Sequence, residues 1–202
     1  MQDTWPKSKG YIIDYYNNLI QKHSDNALAC DYGRRISRDI KYKVMGQIAD
    51  LNNSTILDIG CGFGDFSLFL NNQFQNIKYT GFDINKNIIV NSKEKNPTID
   101  LQVEDILRDK IEERYDYVTA NGIFYLMVED QYTLMEKIIT KMFLLSKKYV
   151  SFNSLSSLCK DPSPKEFYAD PMKVFDLCRK FTKKLVLRCD YHERDFTIYM
   201  YK

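Results

Sequence analysis

Three glycines, Gly60, Gly62 and Gly64, recur at every second residue within Leu57-Asp58-Ile59-Gly60-Cys61-Gly62-Phe63-Gly64. They follow a run of apolar, largely β-branched residues and precede Phe66, Leu68, Phe69 and Leu70, so the segment reads as strand, tight turn, helix. Without a Cβ the backbone can turn sharply there and approach a ligand closely, and the N-terminus of the following helix favours a negatively charged group. Dinucleotide-binding folds place their third glycine one residue later. That position is Asp65 here, whose carboxylate would repel a pyrophosphate. A second signal is Gly81-Phe82-Asp83, whose acid closes the next strand about 20 residues after the loop, the interval at which a carboxylate accepts hydrogen bonds from ribose hydroxyls. A nucleoside ligand is implied. In Val103-Glu104-Asp105-Ile106, Asp105 closes a third strand and stands either near the exocyclic amine of a purine or as an ordinary turn acid.

This arrangement resembles the class I S-adenosylmethionine-dependent methyltransferases, whose first motif has the form of Leu57 to Gly64, and the match extends from Ser54 to the end of the chain. The resemblance implies S-adenosyl-L-methionine as cofactor, with S-adenosyl-L-homocysteine as its product. It implies that the glycine loop, with Asp58, Gly60, Cys61, Gly62 and Gly64, lies under the methionine part, and that Asp83, beside Ile84, binds the ribose. Asp105, beside Ile106, matches the position near adenine, and the loop Asn121-Gly122-Ile123-Phe124-Tyr125 faces the methyl group. The first 50 residues resemble the leading segment of a bacterial subgroup of small methyltransferases, with Tyr32-Gly33-Arg34-Arg35-Ile36-Ser37 at the position of an aromatic-Gly-Ser-Arg-x-Ser pattern. Arg34 stands where that subgroup has serine. Arg35 is then the expected partner of the cofactor's carboxylate, since its guanidinium fork suits a planar acid. Taken by themselves, Arg34, Arg35, Arg38, Lys41 and Lys43 also read as a solvated helix face.

Methyl transfer from a sulfonium is an in-line displacement, so the protein must chiefly align a nucleophile and exclude water. The expected acceptor is an O or N atom of a small molecule. His192 and Tyr125 are the candidate catalytic residues, and Tyr16, Tyr32, Phe124, Tyr125 and Tyr168 are candidate walls of a substrate pocket, a role that tyrosine shares with core packing. Asn121 is followed by Gly122 rather than by two prolines and an aromatic, which disfavours the planar amino groups of adenine or glutamine. Asp116 begins the fourth strand, so no acid directly follows that strand to hold a metal, and no metal is expected. The alternatives are an RNA or protein methyltransferase docking through Lys147, Lys148, Arg179, Lys180, Lys183 and Lys184, a catalytically silent cofactor-binding module that works through a partner, and a nucleotide-dependent oxidoreductase.

Positioning these residues calls for an α/β architecture: a doubly wound, mostly parallel seven-stranded sheet of Rossmann-like type, with an antiparallel C-terminal hairpin and an N-terminal helical cap. Strands are expected over Thr55 to Ile59, Ile77 to Asp83, Leu101 to Val103, Tyr115 to Ala120 and Tyr149 to Phe152, alternating with helical stretches as parallel sheets require. Asn85 suits a helix N-cap, Asp170-Pro171 an N-cap and first turn, and Glu129 and Asp130 a helix start. Leu185 to Leu187 and Phe196 to Met200 flank the polar segment Asp190 to Asp195 as a hairpin. Two helical stripes come first: Ile12, Tyr15, Tyr16, Leu19 and Ile20, then Ile36, Ile40, Val44 and Ile48. Residues 1–53 are thus a cap belonging to the same domain as a core over 54–202.

A chain of 202 residues accommodates one such domain. Its 29 Lys and Arg against 27 Asp and Glu leave a net charge of +2, too little to draw in a nucleic acid or membrane at long range. Five cysteines without a C-x-x-C pair argue against a disulfide framework or a zinc site. The first ten residues are polar, and no apolar run approaches the roughly 18 residues of a membrane span. A cytoplasmic enzyme, monomeric or homodimeric, with a small-molecule substrate is the expectation.

Overall fold

The computed structural model describes residues 3–23 and 35–202, and of His23, Arg35 and Ile36 the backbone alone. Two helices, α1 (Trp5–His23) and α2 (Arg35–Gly46), come first. Then follow β1 (Thr55–Ile59), α3 (Asp65–Gln73), β2 (Lys78–Asp83), α4 (Lys86–Lys95), β3 (Asp100–Val103), β4 (Tyr115–Ala120), α5 (Gln131–Leu145), β5 (Ser146–Leu155), α6 (Pro171–Cys178), β6 (Leu185–Arg188) and β7 (Asp195–Tyr201). The seven strands form one sheet in the order β3-β2-β1-β4-β5-β7-β6. All neighbouring strands are parallel except β7, which runs antiparallel to both β5 and β6.

Strands buried on both faces explain the near-continuous apolar runs. In β1, Ile56 packs with Met45, Phe66 and Leu70 of α2 and α3, whereas its neighbour Leu57 packs on the other face with the cluster that includes Ile139 of α5 and Val174 of α6. Tyr117 and Val118 of β4 divide in the same way. The helix starts follow their capping chemistry. The Asn85 side chain accepts from the backbone N–H of Asn87 and Ile88, and that of Asp170 from Met172 and Lys173 ahead of Pro171. Asp130 precedes α5 differently from expectation: it adopts a left-handed φ of 47° and its side chain makes no cap hydrogen bond.

Strand β5 is longer than the run Tyr149 to Phe152 suggests, because Ser151, Asn153 and Ser154 are buried polar residues that an apolar pattern does not register. Ser151 hydrogen-bonds Tyr117, and Asn153 donates to Asn121 at the end of β4. Satisfied in this way, polar side chains are tolerated in the middle of a sheet.

Strand β1 connects to β2 on one side, and β4 flanks β1 on the other, so the strand order reverses at the carboxyl ends of β1 and β4. Open α/β sheets bind ligands in the crevice at such a switch point. Helix α1 lies across it. Trp5 reaches the loop after β3, Asn17 the loop after β2 and Tyr16 the loop after β4. The end of helix α2 and the turn after it are secured by tyrosines of the sheet: the hydroxyls of Tyr117 and Tyr199 donate to the carbonyls of Met45 and Val44 in the last turn, and that of Tyr201 to the carbonyl of Ile48 just beyond it.

Candidate active site

The glycine loop folds back over the end of β2, the backbone N–H groups of Gly60 and Cys61 both donating to the Phe82 carbonyl at 2.7 and 3.0 Å. Gly60 has φ +70°, and a Cβ there would sit 2.3 Å from Ile123 in the loop after β4. Gly81 serves the same crossing from below, since its added Cβ would lie 2.8 Å from Cys61. Gly62 N–H donates to Asp83 Oδ2 at 3.1 Å, and Asn85 N–H to Asp83 Oδ1 at 2.8 Å. Each carboxylate oxygen keeps a second lone pair. Burial raises the Asp83 pKa, opposed by the backbone donors Asn85, Gly62 and Ile84.

Asp58 lies beneath this loop, not in the cleft. Its Oδ2 accepts from Tyr79 Oη at 2.6 Å, and its Oδ1 is buried with no hydrogen-bond partner among the described residues. Burial pushes its pKa up to about 7, with the Tyr79 hydrogen bond opposing and the Asp83 charge adding.

Above the loop is a cleft of about 750 Å³, within the range of small-molecule sites. Gly60, Cys61 and Gly62 floor it, Asp83, Ile84 and Ile106 line one end, and Asn121 and Gly122 stand at its middle. Gly64 is not on its wall: it caps α3 and packs on Leu101. Asp105 is also elsewhere. Its buried carboxylate accepts from the Trp5 indole N–H at 2.9 Å and from Lys9 Nζ at 2.8 Å, so it ties down α1, and Glu104 lines the cleft beside it.

The other end is built from α1, α2, the loop after β4 and the segment leading into β7. Tyr16 Oη lies 2.7 Å from Tyr125 Oη, so the roof meets the loop expected to face the methyl group. Phe124 is fully buried and packs edge-on against Phe152. His192 lines the cleft, with Ser37 Oγ 3.0 Å from its Nε2 and Asp195 Oδ2 2.7 Å from its Nδ1. Tyr168 stands behind the wall, hydrogen-bonded to Glu166 and Arg194, which do line it. Tyr32 and the Arg35 side chain lie outside the described residues.

Residues 56–142 match the family described as "Methyltransferase domain". Over 158 residues the chain is 29% identical to a Mycobacterium tuberculosis protein described as a methyltransferase, spanning 73% of this chain and 93% of that one. These matches support a class I S-adenosylmethionine-dependent methyltransferase. The chain's fold is that of solved members: N-methyltransferase NodS from Bradyrhizobium japonicum, in complex with S-adenosyl-L-homocysteine, has a TM-score of 0.71 at 16% identity, covering 95% of this chain and 98% of that one. Magnesium protoporphyrin IX methyltransferase from Synechocystis, with bound S-adenosylhomocysteine, has a TM-score of 0.64 at 12% identity, covering 96% and 99%.

In this methyltransferase α2 is not a solvated basic face at its centre. Arg38 and Lys41 side chains are each 14% exposed and are paired with Asp65 and Asp195 at 2.6 and 2.9 Å. Asn153, Glu166, Arg194 and Asp195 line the cleft without any sequence motif marking them, and they are joined there by Ser37, the last residue of the leading pattern, and by Lys41 of the charge run. Arg38 deals with the carboxylate that set this loop apart from dinucleotide sites, neutralising Asp65 at the start of α3. Asp116, bound to Thr55 at the start of β1, lies at the far end of the sheet. So does the basic group Lys147, Lys148, Lys183 and Lys184, at the start of β5 and just before β6. Lys148 pairs with Asp116, Arg179 with Asp176 and Lys180 with Glu136. Among the described residues no helix is long and apolar enough to cross a membrane.

Proposed function

We propose that this methyltransferase transfers a methyl group to an O or N atom of a small molecule enclosed beneath α1, with the cofactor lying across the loops after β1 and β2. The observation that carries this reading is one continuous cleft, running from Asp83 at its glycine-floored end to His192 at the other, with α1 as roof. The residues fit the cofactor. Gly60 and Gly62 leave room against the floor, Asp83 offers a lone pair from each oxygen to vicinal ribose hydroxyls, and pairing with Arg38 removes the repulsion that Asp65 would exert on the methionine carboxylate. When bound, S-adenosylmethionine supplies an electrophilic methyl group on a sulfonium. The chain's own part is to hold the acceptor in line with it and to keep water out. Trp5, Tyr16 and Tyr125 enclose the cleft, and Asn121, held by Asn153, fixes the turn at its centre.

The small-molecule reading is supported by the roofed, aromatic-walled shape and by a fold neighbour described as acting on magnesium protoporphyrin IX. The basic residues that an RNA would need are at the opposite end of the sheet from the cleft. Incubation of the protein and methyl-labelled cofactor with a cell extract, followed by fractionation, tests the choice. Label in the low-mass fraction is expected, and label confined to RNA or protein would refute the proposal.

A further inference from the structure

At the acceptor end, four side chains from α2 and from the segment entering β7 form a chain. Ser37 Oγ is 3.0 Å from His192 Nε2, His192 Nδ1 is 2.7 Å from Asp195 Oδ2, and Asp195 Oδ1 is 2.9 Å from Lys41 Nζ. All four line the cleft. Asp195 is 4% exposed, and its Oδ2 is buried without an aligned hydrogen bond among the described residues, His192 Nδ1 being the charged-pair atom 2.7 Å from it. Its pKa stays below the usual carboxylate value even though burial pushes it up, because His192 and Lys41 pull it down.

Holding α2 against the hairpin does not require these charges. Desolvating a carboxylate and an ammonium is costly, and an apolar pair of similar volume would join the two elements at least as well. The arrangement does determine the imidazole's orientation. Asp195 and the backbone N–H of Arg194, 3.2 Å away, both approach Nδ1, and they ask opposite things of it. A bare Nδ1 lone pair 2.7 Å from a carboxylate is repulsive, whereas an Nδ1–H there makes a charge-assisted bond, about twice as strong as a neutral one. The proton therefore belongs on Nδ1, and Nε2, next to Ser37, is left as an acceptor.

The neighbouring carboxylates indicate what is to be deprotonated. Asp195 is neutralised by Lys41 and Glu166 by Arg194 at 2.8 Å, and Glu193 sits exposed at the rim. Among the described residues, a buried carboxylate to hold an ammonium is thus not on offer at this end of the cleft, while Tyr16, Tyr42, Tyr125 and Tyr191 supply aromatic walls.

We propose that Ser37, His192 and Asp195 form a proton relay whose open end faces the methyl acceptor, and that the acceptor atom is the oxygen of a phenol-type hydroxyl; this rests on the reading of the cleft given above. In the step, the acceptor oxygen forms its bond to the methyl carbon as the carbon–sulfur bond breaks, the electron pair going to sulfur. The hydroxyl proton passes to His192 Nε2, directly or by way of Ser37, which gives up its own proton as it takes the acceptor's. The imidazolium then releases its proton to water. Asp195 and Lys41 are positioning residues, and His192 is the proton acceptor.

Nitrogen NMR of the full chain with His23→Gln, leaving His192 as its single histidine, reads the tautomer at pH 8.5 in the presence of S-adenosylhomocysteine. Nδ1–H is expected. Asp195→Ala should move the proton to Nε2, and Asp195→Asn, whose amide oxygen can still accept, should restore the Nδ1–H form. Nε2–H in the otherwise native chain would overturn the relay alone. Failure of S-adenosylhomocysteine to bind at all would instead overturn the cofactor reading on which it rests. With ¹³C-methyl cofactor and the low-mass fraction of a cell extract, the carbon shift of the product should be that of a methoxy group, and an N-methyl shift would overturn the acceptor. His192→Gln should slow that labelling about 10²–10⁴-fold, the usual worth of a positioned base, with S-adenosylhomocysteine affinity retained; an unchanged rate would contradict the role.

Discussion

Asp58 is the residue at which burial and chemistry conflict most. It stands in β1 just ahead of the motif's glycines, yet its carboxyl is enclosed by the core with Tyr79 as its one hydrogen-bond partner among the described residues. Its pKa of about 7 in the folded chain exceeds the ordinary value of 3.8, so the folded state binds the proton more tightly than the unfolded one. Stability from this group is therefore greatest below about pH 4, falls as pH rises toward 7 and levels off beyond it. Three units at ~1.4 kcal/mol each make the full loss roughly 4 kcal/mol. Asp83, also raised, adds in the same direction. Asp58→Asn, neutral and still able to accept from Tyr79, should be more stable than the native chain at pH 8 by urea unfolding, with the difference shrinking toward pH 5. Parallel pH profiles for the two would show that Asp58 is not the group responsible. Spacing picked out Asp58, Gly60, Gly62 and Asp83 because they share one short segment or a fixed interval from it. Gly81 belongs to the same short segment as Asp83, but the need for a glycine there was not legible: it arises from Cys61 crossing above it, 20 residues earlier in the chain.

At the level of elements, α1 is the part whose attachment the sequence disclosed least. Its apolar stripe is legible, but what fixes it over the cleft is an indole N–H meeting a carboxylate a hundred residues away, supported by Lys9. No local pattern contains such a pairing, and the same contact explains why Asp105 turns away from the cleft. Trp5→Phe keeps the ring and removes only the donor. A hydrogen bond to a charged group is worth about 1.5–3 kcal/mol, so this variant should speed amide exchange along α1 and weaken S-adenosylhomocysteine binding about tenfold while the sheet's exchange is unaltered. If α1 exchanged at the native rate, the indole would not be its anchor. Strand β5 teaches the complementary lesson: Ser151, Asn153 and Ser154 look like loop residues until their partners on β4 and beyond are known.

For the molecule as a whole, alternation of apolar runs and helical stripes revealed the parallel sheet, and the hairpin revealed its antiparallel end. Which loops then meet is decided by strand order, and that order brings the segments after β1, β2 and β4 together under α1. It also sends Lys41 and Asp195, 154 positions apart in the chain, to one buried pair, which is why the acceptor end was less legible than the cofactor end. The fold's central claim is that the crevice at this reversal holds the cofactor by its ribose. Calorimetric titration of S-adenosylhomocysteine into the native chain and into Asp83→Ala tests it most directly. Loss of charge-assisted hydrogen bonds, each about 1.5–3 kcal/mol, should weaken binding tenfold or more. Equal affinity in the two proteins would contradict it.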